Sequence, residues 1–118
     1  MNNENIKMLF CRITGTNVDK FPYSDLIEKA AVSVEERLSR EPSSQIEISR
    51  CEYAAAAQAV YEYAVEKSLS DRILLTENGA AYTEKSQQTV NSARRFRNAA
   101  FSALKDMAKD DGFLFMLC

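Results

Sequence analysis

The chain has 118 residues, 46% of them hydrophobic and 27% charged, which is the size and composition of one compact globular domain, 1–118. Seventeen acidic against fifteen basic side chains leave a formal net charge of -2, so no overall field gathers nucleic acid or an anionic membrane. There is no histidine, which removes the commonest general base near neutral pH, the commonest transition-metal ligand and every triad built on an imidazole.

The first periodic segment carries Ile6, Leu9, Phe10 and Ile13 at helical spacing, with asparagines before it and Gly15 after it. It predicts a short amphipathic helix. Polar residues and Pro22 follow. Ser24 then precedes Asp25, a cap and a first-turn acid that suit the start of a second helix. Leu26, Ile27, Ala30, Ala31, Val34 and Leu38 form its apolar stripe, and Glu28, Lys29, Glu35, Glu36 and Arg37 its solvated side. Glu41, Pro42, Ser43 and Ser44 end it.

A third helix is predicted from about Gln45 to Leu69, on a stripe of Ile48, Cys51, Ala54, Ala57, Tyr61 and Val65. The run Ala54 to Ala57 presents little side-chain volume and lets another helix approach closely, so this is the expected central helix. Tyr53, Tyr61 and Tyr63 spread around its circumference, which places at least one ring at an edge or an interface.

Between Arg72 and Lys85 the period changes. Ile73, Leu74 and Leu75 precede Asn78 and Gly79, and Ala80, Ala81, Tyr82 and Thr83 follow; Asn-Gly between β-compatible residues predicts a small hairpin with a type I′ turn. Such a hairpin must lie on the helices or pair with a neighbouring chain, which makes Ile73, Leu75 and Tyr82 interface candidates. A fourth helix is expected from about Ser86 to Asp110, with Val90, Ala93, Phe96, Ala100, Leu104 and Met107 on one face and Gly112 beyond its end. The tail 113–118, led by Phe113, Leu114 and Phe115, is too short for a membrane span and too apolar to stand in water, so it docks on its own bundle or on another subunit.

Few residues point to chemistry. Cys11, Cys51 and Cys118 are too widely spaced for a zinc knuckle or a redox pair, and the first two lie at apolar helical positions. Glu62 and Glu66 stand one helical turn apart, but a di-metal carboxylate site also recruits Glu-x-x-His, for which no histidine exists. The three glycines are isolated and form no phosphate-binding loop. No catalytic residue, metal or cofactor is expected. Arg94, Arg95 and Arg97 make the densest basic cluster; they are candidates for contact with DNA or with acidic groups of a partner. The first residues carry no basic stretch leading into an apolar one, which favours a cytoplasmic location.

The succession of a short first helix, an acid-starting second, an alanine-rich, tyrosine-bearing third, a small hairpin and a long last helix resembles the small helical head-tail connector proteins of tailed bacteriophages and prophages. The likeness is carried most by Ala54 to Tyr63 (AAAAQAVYEY), by Asn78, Gly79, Ala80 and Ala81, and by Lys109 to Phe115. The resemblance implies a non-enzymatic virion protein, made in the bacterial cytoplasm, that self-assembles into a ring and docks between portal and tail proteins with DNA passing through. It departs from that pattern in its acidic charge balance. The alternative expectation is a small DNA-binding regulator that uses Arg94, Arg95 and Arg97. Either way the expected fold is mostly α, a bundle of about four helices with a small β-hairpin between the third and fourth.

Overall fold

The computed structural model describes residues 1–16, 23–74, 80–105 and 107, with backbone alone for 70–74 and 80–86. The described residues form four helices, α1 (Asn3–Thr14), α2 (Ser24–Arg37), α3 (Gln45–Leu74) and α4 (Ala80–Ser102), and no β-strand. The mostly helical expectation holds; the hairpin does not. Residues 72–74 continue α3 and residues 80–85 open α4. Val65, Leu69 and Ile73 follow one another at four-residue steps, so the apolar stripe of α3 runs through the expected first strand. Ala80, Ala81, Glu84 and Lys85 are strong helix formers, and extending an existing helix costs far less than nucleating a hairpin. Asn78, Gly79, Leu75 and the tail 113–118 lie outside the described residues.

Local chemistry sets the helix ends. Asn2 caps α1, its side-chain oxygen accepting the Glu4 backbone N–H at 2.8 Å. Gly15 closes α1 in the left-handed region at φ 74°, its N–H donating to the Cys11 carbonyl, a conformation that suits glycine. The start of α2 differs from the expected serine cap: Ser24 is already helical, Tyr23 takes the cap position without a side-chain bond, and its carbonyl accepts the Ile27 N–H at 3.1 Å. α3 opens on a capping arrangement that the sequence reading passed over. Ser44 Oγ accepts the Glu47 N–H at 3.2 Å, and Glu47 Oε1 reaches back to the N–H and hydroxyl of Ser43, both at 2.9 Å. Arg40 holds the same carboxylate from the other side with two bonds, of 2.7 and 3.0 Å. These bonds, led by Arg40, keep the Glu47 carboxyl well below its ordinary range.

α3 is the central helix. It packs against α1, α2 and α4, while α1 and α2 touch each other less extensively. Every residue from Ala54 to Val60 is buried, and Ala54, Ala55, Ala56 and Ala57 are each fully enclosed. Consecutive helical residues point about 100° apart, so this stretch is covered on all sides. Ile6 and Phe10 of α1 fill one flank, Leu26, Ile27, Ala30 and Val34 of α2 another, and Ala93, Ala100 and Phe101 of α4 the third. Phe10 meets Tyr63 edge-on with centroids 5.5 Å apart, and Tyr23 completes the aromatic trio. Leu104 and Met107 carry the core beyond α4, and the Met107 carbonyl accepts both the N–H and the hydroxyl of Ser39, at 2.7 and 2.9 Å.

Two core expectations need correction. Ile13 of α1 is 40% exposed, because Phe10 and Cys11, not Ile13, turn toward α3. Arg37 is half-buried over the Phe101 ring, 5.3 Å from its centroid, and bonded to Ser33, so it leaves the solvated side of α2.

Candidate functional site

Two features of the assembled bundle exceed what packing requires. The first is an arginine and aromatic cluster where α2, α3 and α4 meet. α4 brings Arg97 to within 9% exposure, its guanidinium 4.3 Å from the centroid of Tyr61 on α3 and bonded to Asn98 Oδ1 at 3.1 and 3.3 Å. Arg94, one turn earlier, stands 6.0 Å from the same ring and is exposed. Phe96, between Arg95 and Arg97 in the sequence, turns its ring to Tyr53, and the ring under the arginines is Tyr61 of α3. Arg37 approaches from α2, and burial first, then repulsion from Arg97, lowers its affinity for the proton, while Glu36 and Glu62 oppose the shift. Glu62 also accepts the side-chain N–H of buried Gln58 at 3.1 Å; among the described residues Gln58 Oε1 has no hydrogen-bond partner. Arg95 is exposed. The three arginines therefore do not form one patch: Arg97 is a packing residue, and Arg94 and Arg95 are the exposed cations.

The second feature is an uncovered apolar face. Ile46 is 67% exposed, Met8 62% and Tyr53 43%. Ile46 and Tyr53 line an open groove of about 400 Å³ whose far wall is Ala100 of α4 and Ala103 just past its end. Met8 and Leu9 line a second depression, of about 510 Å³, that shares Ser49 and Tyr53 with the first. The two run together across α1, α3 and α4. Tyr53 sits at their junction, its ring edge-on to Phe96 at 5.4 Å, which holds the ring in place while leaving one face open. Arg50 borders the first depression and Arg12 the second; both are exposed and neither forms an ion pair among the described residues. Glu52 also borders the second, but its carboxylate is buried and engaged, accepting the Asn2 backbone N–H at 2.8 Å and the Asn5 side chain at 3.2 Å.

Of the interface candidates read from sequence, Ile73 lies in α3 and Tyr82 in α4, each as a helical residue, so they form no strand edge. Leu75, Phe113, Leu114 and Phe115 lie outside the described residues. The reading missed Met8 and Ile46, and the signal was present: each is a large apolar residue off the core stripe of its helix. Tyr53 matches the expectation that one tyrosine of α3 stands at an edge. Cys11 and Cys51 are buried, and burial pushes both thiols up, which suits apolar packing residues. Among the described residues no group of histidine, cysteine, aspartate and glutamate could hold a metal ion, and no helix is long and apolar enough to cross a membrane.

No family model, curated protein or solved structure matches the chain. The functional reading is therefore argued from its own residues.

Proposed function

We propose that the protein is a non-enzymatic assembly subunit, a head-tail connector or adaptor of a tailed phage or prophage, that self-associates and docks between portal and tail proteins. The observation that carries the reading is the apolar face of Met8, Ile46 and Tyr53. Large side chains at such exposure disfavour an isolated chain in water, and a contiguous apolar patch on a small bundle marks a protein interface. Burying a residue such as Ile46 contributes roughly 1.5–3 kcal/mol, and an edge-held tyrosine is a favoured interface anchor. The order of helices, which resembles that of the connector proteins, supplies the virion context. The face also suits ring assembly, which requires two different surfaces on each subunit: this face and whatever meets it.

The alternative, DNA regulation through Arg94, Arg95 and Arg97, has less support. Arg97 is spent on Tyr61 and Asn98, which leaves only Arg94 and Arg95 of the three exposed, on a chain of net charge -2. Absolute mass over a concentration series tests the choice. The assembly reading expects mass to rise with concentration in the wild type and to stay at one chain in Ile46→Asp. A wild type that remains a single chain and binds duplex DNA with a steep salt dependence would replace it with the regulator.

A further inference from the structure

We propose that the groove between α3 and α4 receives the carboxy-terminal segment, residues 110–117, of a second copy of this chain. The inference rests on the assembly reading above and names the surface that meets the apolar face. Three observations converge on it. The groove is apolar at its floor, through Ile46, Tyr53, Ala100 and Ala103; Arg50 flanks it and Arg12 flanks the adjoining depression that shares Ser49 and Tyr53, both without ion-pair partners among the described residues. The segment has the complementary order: Asp110 and Asp111, then Gly112, then the five apolar residues Phe113 to Leu117. Two carboxylates beside an aromatic anchor match two guanidiniums beside an apolar floor.

The third observation decides between the same copy and another. The Met107 carbonyl is held by Ser39, and Ser39 borders a cavity that it shares with Ile48. Ile46, Arg50 and Tyr53 line the groove; at about 100° per residue, Ile48 points to the opposite side of α3. The chain thus passes from Ala103 at the groove wall to Met107 on the side of α3 away from the groove. A segment arriving from a neighbour needs no such detour, and each subunit then offers one groove and one segment, the pair of unlike surfaces that closes a ring.

The test pairs two variants of the full chain. Ile46→Asp with Arg50→Glu spoils the groove and keeps the segment; Phe113→Asp with Phe115→Asp spoils the segment and keeps the groove. Circular dichroism checks that each retains its helicity, and light scattering gives the mass. The proposal expects a self-associating wild type, loss of association in each variant alone, and a complex of one chain of each when the two are mixed, because the mixture restores a single groove and a single segment. A charge exchange provides an arm that alters no apolar contact: Arg50→Glu dissociates the assembly, and adding Asp110→Lys and Asp111→Lys restores it. Association that survives in the segment variant while failing in the groove variant would overturn the proposed occupant and leave the assembly reading standing. A wild type that stays a single chain at every concentration would overturn both.

Discussion

Substituting Ala54, Ala55, Ala56 and Ala57 by leucine, one at a time, would show whether α3 is enclosed on every side. Each alanine is fully buried. The four side chains point in four directions around the helix, toward different neighbours. Leucine adds three carbon atoms at a site without room and has nearly the helix propensity of alanine, so intrinsic preference changes little. Overpacking a closed core costs about 1–3 kcal/mol per substitution. Set against the ~5–15 kcal/mol that holds a domain of this kind together, that is a large fraction. Urea denaturation followed by circular dichroism reads the effect as a lower midpoint with an unchanged slope. The diagnostic is uniformity. A helix on the rim of a bundle would tolerate leucine on its outer side within about 0.5 kcal/mol. One neutral position among the four would refute the central placement of α3.

Other outcomes follow from single contacts. Phe10→Ala should destabilise by about 3–5 kcal/mol, because it removes a fully buried ring and two aromatic contacts at once; a melting temperature close to wild type would show that α1 is not docked through it. Arg97→Ala should cost about 1–2 kcal/mol through loss of the Tyr61 stack and its Asn98 bonds, while Arg95→Ala, at an exposed position, should stay within about 0.5 kcal/mol; equal effects would contradict the burial of Arg97. The Glu47 carboxyl is held below its ordinary value of 4.5 in the folded chain, first by Arg40 and then by Ser43, so its contribution is present above that value and fades as the pH falls. Glu47→Gln should therefore unfold at lower urea than wild type at pH 6, with the gap narrowing below about pH 4.5. A gap that does not change with pH would rule out the ionised carboxylate as its source.

Much of the bundle was legible because burial in a helix leaves a period. Cys51, Ala54 and Ala57 of α3, Leu26, Ile27, Ala30, Ala31 and Val34 of α2, Ala93 and Ala100 of α4 and Leu104 just past its end lie in the core where their spacing put them. Residues 72–74 and 80–85 read as strands because β-compatible side chains express only local preference; an apolar stripe extending from Val65 to Ile73 and a pair of alanines at 80 and 81 favour the helices found there. The capping residues Ser44 and Glu47 were readable as Ser-x-x-Glu and were overshadowed by Pro42. The site was harder. Tyr61 and Arg97 are 36 residues apart in sequence and meet only when α3 and α4 pack, so no spacing announces the stack. Met8 and Ile46 form one face for the same reason: each is an unremarkable apolar residue until α1 and α3 lie side by side.

The central claim is that the face of Met8, Ile46 and Tyr53 is covered by another subunit. Hydroxyl-radical labelling of the intact chain over a concentration series, read by mass spectrometry, tests it at the residues concerned. Met8 and Tyr53 should be labelled fully in dilute solution and progressively less as the chain associates, while Val32, half-exposed on the outer side of α2, keeps a constant rate. Unchanged labelling of Met8 and Tyr53 at concentrations where the mass has risen would place the interface elsewhere and contradict the account.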